Sequence, residues 1–371
     1  MYRKLIIALA LTSMLAGAAS CSKDGNKEEP EAPDTSTSLT EGNRYANCFM
    51  IQTAGTYSFE TKLVDGTEVQ NITSADWLWS TCDNAPAGLL SNVSYKKGKI
   101  YFTSSSTHGN ALIAAFDKEG NIVWSWHVWI TDKPENQKLD NGFMFMDRNM
   151  GSNSAVIGGG PATYGLKYQW GRKDPFYGGD TNETEHAFSS ADGHVIFNPT
   201  HKGSWKTELS SETVGTVEYA IANPTTFIYN NDTVKDWLHK KNGYLWALKN
   251  SGLKTNYDPC PAGYMVPPDN AWKGVMASNT FEKDGGKLHT TESGVEFWWP
   301  LCGTRWGDKD AGILGYVYNN DGGQGIYWQN TTNMAGTNAC CFYILNGSYT
   351  DAGHGMYRAH GCAVRCQYLP E

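Results

Sequence analysis

Basic runs and long apolar runs are scarce in this chain of 371 residues. Its formal net charge is −8, from 38 acidic and 30 basic side chains. An acidic surface without a basic run argues against nucleic acid as a partner and against direct contact with anionic lipid headgroups. After residue 21, no apolar stretch is long enough to cross a bilayer.

The sequence also lacks the short motifs of common catalytic sites. It contains no HExxH metal motif, no GxSxG elbow and no GxxxxGK[ST] phosphate loop. No CxxC pair occurs, and Cys362 and Cys366 have no matching second pair for zinc. We therefore expect no enzyme activity, no metal and no cofactor, with a hydrolase of another type as the alternative.

Long stretches rich in Ala, Leu, Glu and Lys are scarce as well. Gly (40), Tyr (20) and Trp (14) are abundant instead. This composition favours β structure with elaborate loops over helical bundles. The predicted fold class is mainly β with some α.

The first 21 residues have the order of a secretory signal peptide. Arg3 and Lys4 precede an apolar run, and small residues then lead to Cys21. A cysteine in this place resembles the lipidated cysteine of bacterial lipoproteins. We expect residues 1–20 to be the signal peptide and Cys21 to carry the lipid. The alternative is an ordinary signal followed by an unmodified cysteine.

Residues 21–41 are predicted to form a disordered acidic tether. The segment has almost no apolar residues, so it buries too little surface to offset its ordering entropy. The cluster at residues 27–29 resembles the export tag of surface lipoproteins in Bacteroides-like bacteria. Two acyl chains hold a protein stably on a membrane. We therefore expect an outer-membrane protein, anchored through Cys21, that faces the cell exterior.

Residues 42–139 are predicted to form an antiparallel β-sandwich domain. Segments 93–95 and 100–102 flank a Lys-Lys-Gly-Lys turn, and segments 111–116 and 122–130 flank a second turn. In the last segment, the side chains of one strand face are apolar: Trp124, Trp126, Val128 and Ile130. A polar, proline-containing connector follows and indicates a domain boundary.

Residues 140–371 mix loops, strands and a few helices by pattern. Residues 233–249 are predicted to hold a helix, interrupted at Asn242–Gly243. A second helix is expected to begin after Asp269, which would be its N-cap. Residues 303–325 predict a long loop system, where binding sites usually lie. Closing strands are predicted at 342–345 and 363–369.

Five segments of this second region resemble one family in order and spacing. They read FMDRNMG (145–151), YGLKYQWGR (164–172), DPCPAGYMVP (258–267), GIYW (325–328) and GCAVRC (361–366). Together they resemble the Fibrobacter succinogenes major paralogous domain of gut Bacteroidetes surface lipoproteins. The resemblance implies a C-type-lectin-like or sulfatase-modifying-factor-like fold for residues 140–371. Residues 46–49 and 124–132 resemble domains that precede this module in fimbrillin-like proteins.

The family motifs include residues with expected structural roles. A disulfide between Cys260 and Cys366 would tie the predicted helix entry to the last strand. Arg365 is expected to pair with a buried carboxylate, Asp147. The signatures of calcium-dependent sugar-binding lectins are absent from this chain, which argues against calcium-mediated sugar binding.

The adjacent pair Cys340 and Cys341 departs from the family pattern. Adjacent cysteines rarely bond to each other, so we expect separate partners, Cys302 and Cys362. A copper-thiolate oxidase like the sulfatase-modifying factors is a further alternative, because those enzymes use two nearby cysteines. The sequence around Cys340 and Cys341 lacks the surrounding pattern of that class.

We expect a non-enzymatic adhesin or glycan-binding module on the cell surface, with a glycan or a host surface protein as partner. Aromatic rings stack on apolar faces of sugars, while amide and carboxylate side chains bind the hydroxyls. The predicted ligand-binding residues lie on the second half of the chain: Trp306, Tyr316, Tyr318, Asn320, Asp321, Tyr327 and Trp328. The alternative is that these residues fill a second small core.

A structural subunit of a fimbria or pilus is the second functional prediction. Such a subunit assembles with fimbrial partners by strand exchange, which requires an exposed edge or a removable terminal strand in the first domain. A sulfatase-modifying-factor-like enzyme ranks below both.

Overall fold

A computed structural model describes residues 34–81, 88–178, 195–233, 235–275, 280–318, 322–333, 336–345 and 349–370. The predicted signal peptide and Cys21 lie outside the described residues. The chain divides into Met1–Thr35, of which only Asp34 and Thr35 are described, and one compact unit, Ser36–Glu371. In the described part, no helix is both long and apolar enough to span a membrane.

The fold is mainly β, as the composition predicts, with 42% strand and 6% helix. The described helices are short, because glycines and prolines interrupt most helical patterns. They are the α-helix Val217–Ala222 and the 3-10 helices Glu41–Asn43, Gly160–Thr163 and Ala271–Val275.

Two packed sheets form the N-terminal part. In order across the first sheet, the strands are Thr37–Ser38, Gly55–Glu60, Lys99–Ser104 and Leu90–Lys96. In order across the second, they are Val195–Phe197, Ser74–Thr81, Gly109–Phe116, Ile122–Ile130 and Cys48–Ile51. Both predicted hairpins are present in these sheets.

The strand Ile122–Ile130 presents its predicted apolar face to the core between the two sheets. Trp126, Val128 and Ile130 are 0% exposed there, and Trp124 is 5% exposed. The sheets are mostly antiparallel, but both Thr37–Ser38 and Cys48–Ile51 pair in parallel. An edge strand forms a single ladder, so either direction satisfies its hydrogen bonds.

The tether predicted for residues 21–41 ends earlier than expected. Thr37–Ser38 pairs with Gly55–Glu60, and Leu39 donates its backbone N–H to the same strand at 2.8 Å. Thr40 Oγ1 accepts a backbone N–H from that strand at 3.1 Å. Leu39 also packs against the sandwich core. These contacts order the last part of a segment that composition alone marks as disordered.

The outer face of the second sheet is covered by residues from beyond position 139. Val195–Phe197 pairs with Ser74–Thr81 and so extends the sheet. Trp129 Nε1 donates to the carbonyl oxygen of Ser152 at 3.1 Å, and Asn110 Nδ2 donates to a neighbouring carbonyl at 2.8 Å. The two regions distinguished in the sequence therefore share one sheet and one hydrophobic core.

Five sheets of two to four strands lie in the described residues of the C-terminal part. One contains Tyr264–Met265, Gln367–Tyr368, Met144–Met146 and Asn136–Lys138, and another contains Tyr168–Gln169, Gly361–Cys362, Cys302–Arg305 and Leu314–Val317. A parallel pair joins Lys206–Leu209 to Thr226–Tyr229. One three-stranded sheet contains Thr280–Lys283, Gly286–Thr290 and Glu296–Pro300. The other contains Gln324–Thr332, Ala339–Leu345 and Tyr349–Met356.

The predicted helix at 233–249 is wrong, and the described residues there follow an irregular path with bends and an isolated bridge between Ala247 and Lys254. Trp237 Nε1 and Trp246 Nε1 each donate to a backbone carbonyl in the buried segment 170–172, at 2.7 and 3.2 Å. These indole contacts hold the segment in an irregular path. The second predicted helix is a single 3-10 turn, Ala271–Val275. Of the closing strand predicted at 363–369, only Gln367–Tyr368 is a strand.

Cys260 and Cys366, the pair favoured from the sequence, form a disulfide bond across 106 residues. Beside it, Lys254 Nζ donates to the carbonyl oxygens of Cys260, Pro261 and Tyr264. The turn before Tyr264–Met265 is therefore held by a covalent bond and by a buried ammonium group.

The predicted partner of Arg365 and the predicted disulfides of Cys340 and Cys341 are wrong. Arg365 Nε donates to Asn149 Oδ1 at 3.1 Å and its guanidinium lies over the rings of Trp299 and Tyr327, whereas Asp147 pairs with Arg148. Neighbouring carbonyls and rings satisfy the buried guanidinium without a carboxylate. The expected disulfides of the adjacent cysteines do not form, and these thiols are free and buried: Cys302, Cys340, Cys341 and Cys362.

Candidate functional site

Tyr327 and Trp328 lie in the interior, although the sequence places them among the ligand-binding residues. Both are 0% exposed. The Tyr327 hydroxyl donates to the carbonyl oxygen of Pro300, and Trp328 Nε1 donates to that of Tyr168 at 2.6 Å. The two rings belong to separate core clusters on opposite faces of Gln324–Thr332. Neither ring can stack on a ligand in this conformation.

Trp306 and Tyr316 form a small aromatic group at the surface. Their ring centroids lie 5.5 Å apart, and Trp306 lies 5.1 Å from the ring of His360. Tyr316 is 55% exposed, whereas Trp306 is half-buried and Tyr318 packs against the core. The remaining predicted residues lie outside the described part of the chain: Asn320 and Asp321.

One buried cluster combines side chains that act in catalysis elsewhere. Lys173 Nζ lies 2.6 Å from Ser125 Oγ and 2.7 Å from Asp174 Oδ1. Ser125 Oγ donates to Asp174 Oδ1 at 2.6 Å, and burial lowers the pKa of Lys173. All three side chains are buried, and none lines the cavities of about 270, 350, 370 and 660 Å³ formed by described residues. The cluster therefore joins the second sheet to the C-terminal part.

The described residues contain no group of three or more His, Cys, Asp or Glu side chains that could hold a metal ion. Burial also raises the pKa values of the thiols of Cys340, Cys341 and Cys362. A raised pKa keeps a thiol protonated, and the thiolate is the form that binds metals and attacks electrophiles.

A groove of about 660 Å³ opens between a loop segment and the end of the strand Gln324–Thr332 in the C-terminal part. Residues 243–252 contribute one wall, and residues 330–333 with Gly336 contribute the other. Three other cavities formed by described residues measure about 270, 350 and 370 Å³. We call this site the Tyr244 groove, after the aromatic side chain in its first wall.

Two tight turns shape the first wall. Asn242 Oδ1 accepts the backbone N–H of Tyr244 at 2.9 Å, which forms an Asx turn. Leu248 donates its backbone N–H to Leu253, and Gly252 donates back to Leu248, both at 2.9 Å. Gly252 adopts a φ of 65°, which glycine reaches without strain. The turns leave Tyr244 and Leu248 about half exposed, at 48% and 51%.

Arg358 holds the two walls together from below the surface. Its guanidinium donates to the carbonyl oxygen of Asn242 at 3.1 Å and to that of Gly336. The side chain is 1% exposed and pairs with Asp236 at 3.2 Å. Because both contacts on the walls are to backbone atoms, the spacing of the walls depends on Arg358.

The groove offers an aromatic ring together with many neutral polar groups. Its amide and hydroxyl side chains are those of Asn250, Asn330, Asn333, Gln367, Ser251, Thr331 and Thr332. No carboxylate, histidine or cysteine is among the described lining residues. The lining therefore suits recognition of a ligand with many hydroxyl groups and supplies no acid–base pair or metal ligands.

Comparisons with protein-family models, curated proteins and solved structures found no match to this chain. The family resemblance of the sequence motifs therefore stays a prediction. The chemistry of the Tyr244 groove is the basis for a functional proposal.

The groove lies outside the segment that the sequence marks as the binding region. The available signal was a pair of turn dipeptides, Asn242–Gly243 and Ser251–Gly252, that bracket Tyr244 and Leu248. In the sequence, the first dipeptide indicates only an interruption of a helix. The second wall comes from residues about 80 positions later, so no local pattern could predict the groove.

Proposed function

We propose that this protein is a lipid-anchored surface protein that binds a glycan in the Tyr244 groove. The observation that carries the proposal is an exposed tyrosine in a groove of about 660 Å³ that is otherwise rich in amides and hydroxyls. Ligand sites commonly have this size and a few convergent polar groups. The function is recognition, as in an adhesin, rather than catalysis.

The two kinds of side chain serve different parts of a sugar. The flat C–H face of a pyranose stacks on an aromatic ring, and the half-exposed ring of Tyr244 is accessible to it. Sugar hydroxyls lose hydrogen bonds to water on binding, so they need donors and acceptors in the site. The amide of Asn250 supplies both in the first wall and the hydroxyl of Thr332 in the second, whereas the Asn333 amide is committed to Thr337 and Asn338.

The membrane anchor is the lipid on Cys21. The compact unit begins at Ser36, about 15 positions after Cys21 in the sequence. The anchor is tested with Cys21→Ser, which is expected to release the protein from the outer-membrane fraction. Retention of this variant in that fraction would contradict the lipoprotein proposal and leave the glycan proposal untouched.

Glycan binding is tested on a glycan array with the chain from Ser22 onward. We expect binding to a defined set of saccharides and a loss of at least tenfold in affinity for Tyr244→Ala. Tyr316→Ala is the matched control, because Tyr316 is similarly exposed and belongs to the site predicted from the sequence. Binding that persists in Tyr244→Ala but fails in Tyr316→Ala would show that the glycan binds at the aromatic group of Trp306 and Tyr316 instead.

A subunit of a fimbria is the second candidate, and one observation favours it. Thr37–Ser38 covers the edge of Gly55–Glu60 with a strand of only two residues. A longer strand from another subunit could replace it and extend the pairing. Ladders of higher oligomers in sheared cell-surface fractions, increased by deletion of residues 36–40 because that deletion uncovers the edge of Gly55–Glu60, support this function. A protein that stays monomeric in those fractions argues against it.

A further inference from the structure

The charge around the Tyr244 groove is opposite to that of the chain. Acidic side chains outnumber basic ones by 38 to 30. Among the described residues that line the groove, Lys249 is charged and none is acidic. Two further exposed lysines, Lys240 and Lys241, precede the first wall. The groove is therefore a locally basic site on an acidic protein.

Lys249 and Tyr244 act together at the first wall. Lys249 Nζ lies 5.5 Å from the centroid of the Tyr244 ring, which is a cation–π distance. This contact holds the ammonium group over the ring, so a sugar that stacks on Tyr244 lies against the ammonium group or displaces it. A sugar on that ring would bring its substituents close to Lys249.

The other charged groups near the groove are occupied or lie at its margin. The Arg358 guanidinium is buried and committed to Asp236 and to the two wall carbonyls. Lys254 is committed to carbonyls beside the disulfide. Asp269 is exposed and follows the lining residue Pro268 without lining the groove itself. Lys249 is thus the cation that a ligand in the groove would meet.

We propose that the Tyr244 groove selects anionic glycans, which carry carboxylate or sulfate groups. The inference rests on the proposed glycan binding and adds its charge class. A carboxylate or sulfate beside Lys249 gains a charge-assisted hydrogen bond, whereas a neutral hydroxyl gains a weaker one. Neutral glycans therefore bind through the ring and the amides alone.

The test is an array that carries acidic saccharides beside their carboxyl-reduced or desulfated counterparts. The chain from Ser22 onward should bind the acidic members about tenfold more tightly than the neutralised counterparts. Lys249→Gln should remove that difference, while Lys240→Gln, a lysine outside the lining, should preserve it. Separate carboxylated and sulfated series show which anion the site prefers.

Three outcomes would overturn the inference, and they are distinguishable. If acidic and neutralised members bind equally and Tyr244→Ala weakens both, the glycan proposal stands and the charge selection is wrong. If neither series binds, both proposals are wrong. A preference for acidic members that survives Lys249→Gln also overturns the assignment to Lys249.

Discussion

Lys167 is a fully buried lysine whose Nζ has no hydrogen-bond partner among the described residues. A buried charge without a partner costs several kcal/mol. We predict that Lys167→Met, which keeps the length of the side chain, raises the free energy of unfolding by about 1–3 kcal/mol. Urea denaturation of the variant and the parent chain measures the difference.

Lys254 is the matched control for this prediction. Its side chain is 12% exposed, and its Nζ donates to three carbonyl oxygens and lies 3.4 Å from the buried carboxylate of Asp258. Lys254→Met is expected to lower the free energy of unfolding by about 3–5 kcal/mol, because it leaves Asp258 unpaired. Equal losses for the two variants would contradict this view of Lys167.

His360 predicts a pH dependence of stability. Burial lowers its pKa from 6.5 to about 4, and Nδ1 accepts the backbone N–H of Gly307 at 2.8 Å. Between pH 6.5 and 4 the unfolded chain binds a proton that the folded chain excludes, so stability falls as the pH drops. His360→Gln should reduce this fall by up to about 3 kcal/mol. An unchanged pH profile of the unfolding free energy would contradict the prediction.

Among the elements, the disulfide has the clearest energetic role. It joins Cys260, in the turn before Tyr264–Met265, to Cys366, next to the paired strand Gln367–Tyr368. Closing a loop of about 100 residues stabilises a protein by up to about 4–5 kcal/mol. The double variant Cys260→Ser/Cys366→Ser should therefore melt well below the parent chain.

Reduction provides the control for the disulfide. A reductant should lower the melting temperature of the parent chain towards that of the double variant and leave the variant unchanged. Cys340→Ser, at a free cysteine, should keep the full response to the reductant. A parent chain that melts at the same temperature with and without reductant would contradict the role assigned to the bond.

Elements with local signals were predictable from the sequence, and those set by distant contacts were not. The hairpins at 93–102 and 111–130 follow from alternation and turn residues, and both are present. The helix expected at 233–249 is absent because the indoles of Trp237 and Trp246 bond to a segment far away in sequence. The Tyr244 groove has the same origin, since its walls come from separate parts of the chain.

At the scale of the whole molecule, the two regions of the sequence are joined by shared structure. Val195–Phe197 completes the second sheet, and Lys173 and Asp174 bind Ser125 on its outer face. We predict that residues 36–139 do not fold alone. The fragment would expose Trp129 on the outer face of the second sheet and would lack the strand Val195–Phe197 of that sheet. Near-ultraviolet circular dichroism of the fragment should show no fixed aromatic environment.

The longer chain is the comparison for that fragment. Residues 36–371 should unfold in one cooperative transition, since they form one compact unit with a common core. Cooperative unfolding of residues 36–139 alone would contradict this prediction and show that the sandwich is an independent domain.

Occupation of the Tyr244 groove by a glycan is tested by hydrogen–deuterium exchange. The chain from Ser22 onward is compared with and without the saccharide that binds best on the array. We expect slower amide exchange in residues 243–252 and 330–333, with unchanged exchange in residues 306–318. Protection confined to 306–318, or absent from both walls of the groove, would contradict it.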